Sequence, residues 1–388
     1  MIRRIIFLTE SPFDLRDYRR FGFELLRENQ FAVETWDATP ALHPDIHAAY
    51  SPPDKMEDEG LVTFRDPPEL YDRLSSLRSD DFVINLINYR FKMLDVYKAL
   101  GRSRADYAVS MANTLPYVAS VRTPSLFEKV KGLFPITRES VALRIFVRAP
   151  FKFFGVKPAK IILAGGENCL GCHYPADQGT EALWAHALDY DIYRKERETT
   201  PSGDSNTIVF LDEYLPFHPD WKYYNSTFPM RADEYYGLLD KLFCKLEGEL
   251  KKEVVIAAHP RSKYSENDGY FKSRKCIKGE TCALVRDSDL VVSHISTSIN
   301  FANLFYKPVL FVTSQHIDKC WEGPLIRTVA RWFGKDPVFM DEDISVDMQE
   351  LMKVDRQRYD NYRRSYIKRD GSPDLDFWQI VADRLKSL

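Results

Sequence analysis

Short apolar runs bounded by polar residues recur along the chain. They fall at residues 3–8, 31–36, 61–64, 82–86, 107–109, 160–164, 207–211, 254–258, 290–292, 308–312 and 337–340. Those at 254–258, 290–292 and 308–312 are brief and rich in β-branched residues, the pattern of strands buried on both faces of a parallel sheet. Stretches of helical spacing alternate with them. Phe21, Leu25 and Leu26 share one face over 18–29, and residues 67–77 read as a helical stretch. Tyr236, Leu239, Leu242, Phe243 and Leu246 mark a long amphipathic helix over 232–250, and Ile299, Phe301, Ala302 and Phe305 a shorter one over 298–306. Residues 347–363 and 377–388 read as terminal helices. Strand and helix in alternation predict an α/β chain of doubly wound sheets. The polar stretch 196–205, ERETTPSGDS, reads as a linker that divides the chain into domains at 1–200 and 206–388. No internal repeat or low-complexity tract interrupts this order.

Polar residues gather where such sheets place their sites, outside the carboxyl ends of the strands. His259 and Pro260 follow the run 254–258 directly. Ser293, His294, Ser296, Thr297 and Ser298 follow 290–292 and lead into a helix. A helix N-terminus attracts phosphate, and a Ser/Thr cluster adds hydroxyl donors without a Walker lysine; the bland alternative is that these hydroxyls only cap the helix. Asp212 and Glu213 end the run 207–211 as an acid pair, candidates for a catalytic base. Glu10, Asp14, Arg16 and Asp17 follow the first run, where helix capping by Asp14 or Asp17 is the competing role. That opening lacks G-x-G-x-x-G, which argues against a dinucleotide site. His186, Asp189, Tyr190 and Asp191 cluster near the end of the first domain.

Composition narrows the classes. The chain has 388 residues, 44% of them hydrophobic, and a formal charge of −3, enough for two domains and too little positive charge for a general nucleic-acid binder. No apolar run approaches the ~20 residues that span a bilayer. The apolar part of the N-terminus is too short for a signal peptide, so a cytoplasmic protein with reduced thiols is expected. Cys169, Cys172 and His173 spell a c-type haem attachment string, read as coincidence in a Gly-rich loop. Residues 126–160 differ in character. Lys129, Lys131, Arg138, Arg144, Arg148, Lys152, Lys157 and Lys160 are interleaved with Phe134, Phe146, Phe151, Phe153 and Phe154. Such a segment either lies on an anionic membrane or packs as a helical pair with a solvated basic side.

The stretch 253–314 also resembles a family. A strand with His259-Pro260, then Gly279-Glu280-Thr281, then the string from Asp289 to Ser298, a helix and Lys307-Pro308 looks like the nucleotide-binding half of a GT-B glycosyltransferase. The His-Pro pair and the Ser/Thr cluster resemble bacterial sialyltransferases and Kdo transferases, users of CMP-activated acidic sugars. The resemblance implies two Rossmann-like domains facing a cleft, with the C-terminal helix, through Trp378, Ile380 and Leu385, crossing back to the first. It implies that His259 with Pro260, Ser296, Thr297 and Ser298 (or Ser293 in a second register) hold the CMP phosphate, and that Gly279 and Glu280 sit where a ribose hydroxyl is held. Arg261 would meet a phosphate or a sugar carboxylate. Asp212-Glu213-Tyr214 resembles the family's Asp/Glu-Asp/Glu-Gly motif, with Tyr214 in the place of glycine. The base would be Asp212 or Glu213, or Glu10, Asp14 or Asp17 in the first domain. Asp287-Ser-Asp289 spells a metal motif but precedes a buried run, so no metal is expected, and no cofactor beyond the donor. The implied function is transfer of an acidic ulosonic sugar, sialic-acid-like or Kdo, from its CMP donor to a glycan or lipid-linked glycan in surface-polysaccharide assembly, at the inner face of the plasma membrane. A UDP- or GDP-sugar transferase or epimerase of the same fold, and a non-catalytic scaffold, are the alternatives.

Overall fold

The computed structural model describes the chain except for residues 50, 52–57, 117–145, 147–148, 172–173, 201–205, 220, 222–225, 265–268 and 345–346. Its strands form two parallel sheets. The first joins β1 (Arg4–Thr9), β2 (Ala32–Asp37), β3 (Leu61–Thr63), β4 (Asp81–Asn85), β5 (Asp106–Met111), β6 (Ile161–Ala164) and β7 (Glu181–Trp184) in the order β3-β2-β1-β4-β5-β6-β7. The second joins β8 (Thr207–Leu211), β9 (Glu253–Ala258), β10 (Cys276–Lys278), β11 (Leu290–Ser293), β12 (Val309–Thr313) and β13 (Val338–Phe339) in the order β10-β9-β8-β11-β12-β13. The central strands are apolar on both faces because helices cover both. Ile5, Ile6, Phe7 and Leu8 are fully buried in β1, as are Leu290, Val291 and Val292 in β11. The strand order reverses between β1 and β4 and again between β8 and β11, the crevices where doubly wound sheets bind ligands. Register fixes the second crevice. Leu211 pairs with Ala257 on one side and with Ser293 on the other, so the residues after β8 lie between those after β9 and β11.

The last helix, Phe377–Lys386, packs its apolar side into the core of the first sheet. Phe377, Trp378, Ile380, Val381, Ala382 and Leu385 join Phe7, Phe23, Phe82 and Ile84 there. The helix Leu188–Glu196 bridges in the other direction. Its Tyr190 belongs to the core of the second sheet, and its Asp189 accepts from Asn300 Nδ2 at 3.1 Å.

Several expected elements differ. The strands β7 and β10 escape the apolar-run reading because they are sheet edges: no residue of either is buried, and so neither needs a continuous apolar sequence. The helix expected over 18–29 is two helices, Leu15–Arg20 and Phe23–Glu28, broken at Gly22 with φ 58°. A Cβ at Gly22 would lie 2.5 Å from Trp378 Cδ1, so the break admits the indole of the crossing helix. The helix expected over 347–363 is likewise divided, into Met348–Leu351 and Arg356–Tyr362. Most of the basic and aromatic segment 126–160 lies outside the described residues, as do Cys172 and His173. Of its described part, Phe146 is buried against Tyr89, while Lys152 pairs with Asp177 and Lys157 with Asp106. Among the described residues no helix is long and apolar enough to cross a membrane.

Candidate functional site

The acid pair after β8 faces inward. Asp212 Oδ1 accepts the Tyr214 amide and the Tyr264 hydroxyl, both at 3.0 Å, and Oδ2 accepts the His259 amide at 3.1 Å. Glu213 Oε1 accepts the Ile295 amide at 2.7 Å. One short segment thus braces both flanking loops, Asp212 the His259 loop and Glu213 the turn that carries Ser296. Both side chains are buried, and burial raises both acids, Asp212 to about 6 and Glu213 to about 8. Glu213 is therefore a neutral carboxyl at pH 7, so it holds the turn without setting a negative charge beneath it. Tyr214, where the related motif has glycine, takes φ 54°, the left-handed conformation that glycine adopts most readily.

His259 is fixed in one tautomer. Its Nδ1 accepts the Arg261 amide at 3.2 Å, which leaves the proton on Nε2 as a donor. Burial, with His218, Arg261, Arg16 and Lys278 nearby, lowers its basicity to about 2, so the ring is a neutral hydrogen-bond donor in a positive field. Its ring stands 4.9 Å from that of His218, edge to face, so His218, which with Pro219 makes a second His-Pro pair, lies beside it. Arg16 lies on the helix Leu15–Arg20 that follows β1. It acts electrostatically on both His259 and Asp14, as does Arg261. The two domains therefore face one another here, the helix Leu15–Arg20 against the His259 loop.

The serine turn is only partly used by the fold. Ser296 Oγ accepts the Ser298 amide at 3.3 Å, and Ser298, at the N-cap position of Ile299–Leu304, makes no side-chain capping bond. Thr297 is exposed. That helix has six residues, too short for its dipole to dominate, so the hydroxyls are the donors on offer. Ser293 Oγ is fully buried at the end of β11 with no hydrogen-bond partner. His294 is a core residue. Its Nδ1 meets the Val312 carbonyl at 2.7 Å and Nε2 meets the Tyr235 hydroxyl at 3.0 Å; burial lowers it to about 4.

Other expected residues lie around this centre. Gly279 (φ 89°) and Glu280 are exposed beyond β10, and Glu280 forms no capping bond with the helix Thr281–Asp287. Pro260 is exposed beside His259. Asp14 caps Leu15–Arg20, accepting the Asp17 amide at 2.9 Å, and Asp17 pairs with Arg16 at 2.9 Å. His186 is fully buried, with its ring nitrogens at the carbonyls of Ala187 and Leu375, where it anchors the chain entering the last helix. Cys169 is buried at the turn after β6, its sulfur accepting the Gly166 amide at 3.3 Å. No group of three or more His, Cys, Asp or Glu side chains able to hold a metal occurs among the described residues. Lys278 and Tyr264 were not singled out from the sequence. Lys278 ends an exposed edge strand and Tyr264 lies in an irregular loop, so neither carries a periodic signal.

No protein-family model matches the chain, and no curated protein sequence does. Solved structures do match. The wall teichoic acid polymerase TagF superposes in two histidine variants. One gives a TM-score of 0.51 at 14% identity, covering 99% of this chain and 88% of TagF; the other gives 0.51 at 10%, covering 99% and 89%. The glycosyltransferase SnogD from Streptomyces nogalater gives 0.51 at 12% identity, covering 100% of this chain and 99% of SnogD. The chain has the GT-B fold. In that frame the His259 and Ser296 loops are the carboxyl edge of the second domain, and the loop from Glu10 to Asp17 is the facing edge of the first.

Proposed function

We propose that this protein is a glycosyltransferase that moves an acidic ulosonic sugar from a CMP-activated donor to a surface-glycan acceptor. The observation that carries the reading is the neutral His259, its Nε2–H held as a donor and ringed by Arg16, Arg261 and Lys278, beside the serine turn that Glu213 braces. A departing nucleotide phosphate gathers negative charge, and preorganised donors in a positive field stabilise that charge as it develops. Ser296, Thr297 and Ser298 supply hydroxyls to the same phosphate, Arg261 meets a phosphate or the sugar carboxylate, and Gly279 and Glu280 flank the ribose. The class of reaction is also supported by the name of SnogD, a glycosyltransferase of like fold. The cytidine and the acidic sugar are what the resemblance of the His-Pro and Ser/Thr motifs implies. The acceptor, glycan or lipid-linked, enters from the first domain, with the segment 126–160 lying on the inner face of the membrane.

Calorimetric titration of the full chain with CMP, UDP and GDP tests the donor. Binding of CMP alone is the expected result. Preference for UDP or GDP moves the protein to the hexose transferases or epimerases of this fold, and binding of none makes it a scaffold.

A further inference from the structure

The chain crosses between the two sheets twice, and a cavity lies where the crossings meet. The first crossing is the helix Leu188–Glu196. The second runs through the π-helical turn Arg363–Ile367 toward the last helix, and such turns are frequent at functional sites. Tyr190, Tyr193 and Arg197 of the first crossing, with Arg363, Lys368 and Arg369 of the second, line a cavity of about 260 Å³. Leu304 lines it too, at the opposite end of its helix from the serine turn, so the cavity is separate from the His259 site.

Four of these side chains are cations. One carboxylate, Asp370, lines the cavity with them, 3.5 Å from Arg364 Nη1. Lys368 Nζ donates to the Ser372 carbonyl at 2.6 Å, the Ser372 hydroxyl at 2.8 Å and the Pro373 carbonyl at 3.0 Å. Those oxygens are neutral, so they hold its charge in place without cancelling it. Burial lowers its pKa more than the charges of Asp374 and Asp370 raise it. Arg197 lies 3.4 Å from Asp374 and Arg363 3.0 Å from Asp360, pairs exposed enough for water to screen.

Arg369 is held by its face and not by its edge. Its guanidinium carbon lies 4.6 Å from the centre of the Trp184 ring, and its Nε is 3.9 Å from Glu167, beyond hydrogen-bond reach. Its side chain donates no hydrogen bond to the described residues. Stacking thus fixes the plane of the fork and leaves its N–H edge for a planar anion. Helix-end electrostatics accounts for Arg197, which caps Leu188–Glu196, but not for Arg369, whose edge serves no carbonyl. The rings of Tyr190 and Tyr193 stand 5.6 Å apart, and Tyr193 is only partly buried. An aromatic face beside a cationic fork complements a sugar ring that carries an anion. The volume is below the roughly 300–1,000 Å³ of sites for drug-sized ligands, so it suits one sugar residue and not a nucleotide sugar.

We propose that this cavity binds a sugar bearing a carboxylate or a phosphate, with Arg369 meeting the anion and Tyr193 the ring. The inference stands without the transferase reading above.

Calorimetric titration of the full chain with N-acetylneuraminate and with glucose 6-phosphate tests it, and which of the two binds names the anion. Neutral N-acetylmannosamine and inorganic phosphate should bind about 10-fold more weakly or worse, since each lacks one half of the ligand. Arg369→Gln and Tyr193→Leu should each weaken binding of the acidic sugar about 10-fold or more, with the circular dichroism unchanged. His259→Ala, in the other site, should bind it as wild type does. A wild type that binds neither acidic sugar overturns the proposal. Phosphate or the neutral sugar binding as tightly as the acidic sugar overturns it as well. So does binding that Arg369→Gln leaves intact, and a loss in His259→Ala alone would put the sugar in the cleft. The comparison among ligands uses the wild type, so it decides even if Arg369→Gln does not fold.

Discussion

Asp212 Oδ2 accepts the backbone N–H of His259 at 3.1 Å, so the acid that ends β8 holds the histidine that follows β9. Its other oxygen takes Tyr214 and Tyr264. An asparagine here would turn a donor toward a donor. Asp212→Asn is therefore expected to lose about 1–3 kcal/mol of stability and to weaken CMP binding together with turnover. Thermal denaturation and calorimetry read the two. A variant that binds CMP normally yet fails in transfer would make Asp212 the base.

Glu213 predicts a dependence on pH. Burial raises its pKa from 4.5 to about 8, so the folded chain binds this proton more tightly than the unfolded chain does. Stability from this group is full at low pH and is lost as pH rises from its unfolded value through about 8. Glu213→Gln keeps an oxygen for the Ile295 amide and carries no charge. It should melt higher than wild type above pH ~8 and much like it near pH ~5. Parallel melting curves that keep the same offset at every pH would remove Glu213 as the source.

His259 lies at the other extreme. Lowered from 6.5 to about 2, it stays neutral throughout the working range and acts through Nε2–H alone. His259→Ala should keep the fold and lose about 100- to 1,000-fold in transfer rate, the usual effect of removing one preorganised donor. Steady-state CMP release with circular dichroism checks both halves.

Replacing Ser296, Thr297 and Ser298 by alanine should weaken CMP binding more than it lowers stability, because only Ser296 makes a local bond to the turn. A lost cap alone costs ~1 kcal/mol. An unchanged CMP affinity with a lower melting point would assign these hydroxyls to the fold.

Trp378 joins the last helix to the first domain. Its Nε1–H donates to the Arg20 carbonyl at 2.7 Å and its ring lies 5.1 Å from Phe7, edge to face. Trp378→Ala is expected to cost about 3–5 kcal/mol. Gly22→Ala should be destabilising too, since its Cβ would meet the same indole and its φ is left-handed. Urea unfolding measures both, and a Gly22→Ala variant as stable as wild type would mean that the indole shifts without cost.

Much of this molecule was legible in the chain. Central strands of a parallel sheet are buried on both faces, so β1, β4, β8, β9, β11 and β12 had to be short apolar runs, and their polar followers marked both crevices. His259, Ser296 and the Asp212-Glu213 pair follow strand ends, and that position makes them candidates. Local sequence also determined that Asp14 is a helix cap candidate, because capping spans only three residues.

What required the tertiary structure was partnership. Edge strands β7 and β10 owe their form to one neighbour and carry no apolar run of their own. The break at Gly22 depends on Trp378, more than three hundred residues away. Whether a carboxylate points at solvent or at a backbone amide leaves no periodic trace, so the inward turn of Asp212 and Glu213 and the pairing of Glu10 with His43 appear only once β8 lies between β9 and β11 and β1 lies between β2 and β4. Hydrophobic pattern is written residue by residue because burial acts on each side chain separately. The protonation and aim of a polar group are set by whatever distant donors the packing brings within hydrogen-bond reach.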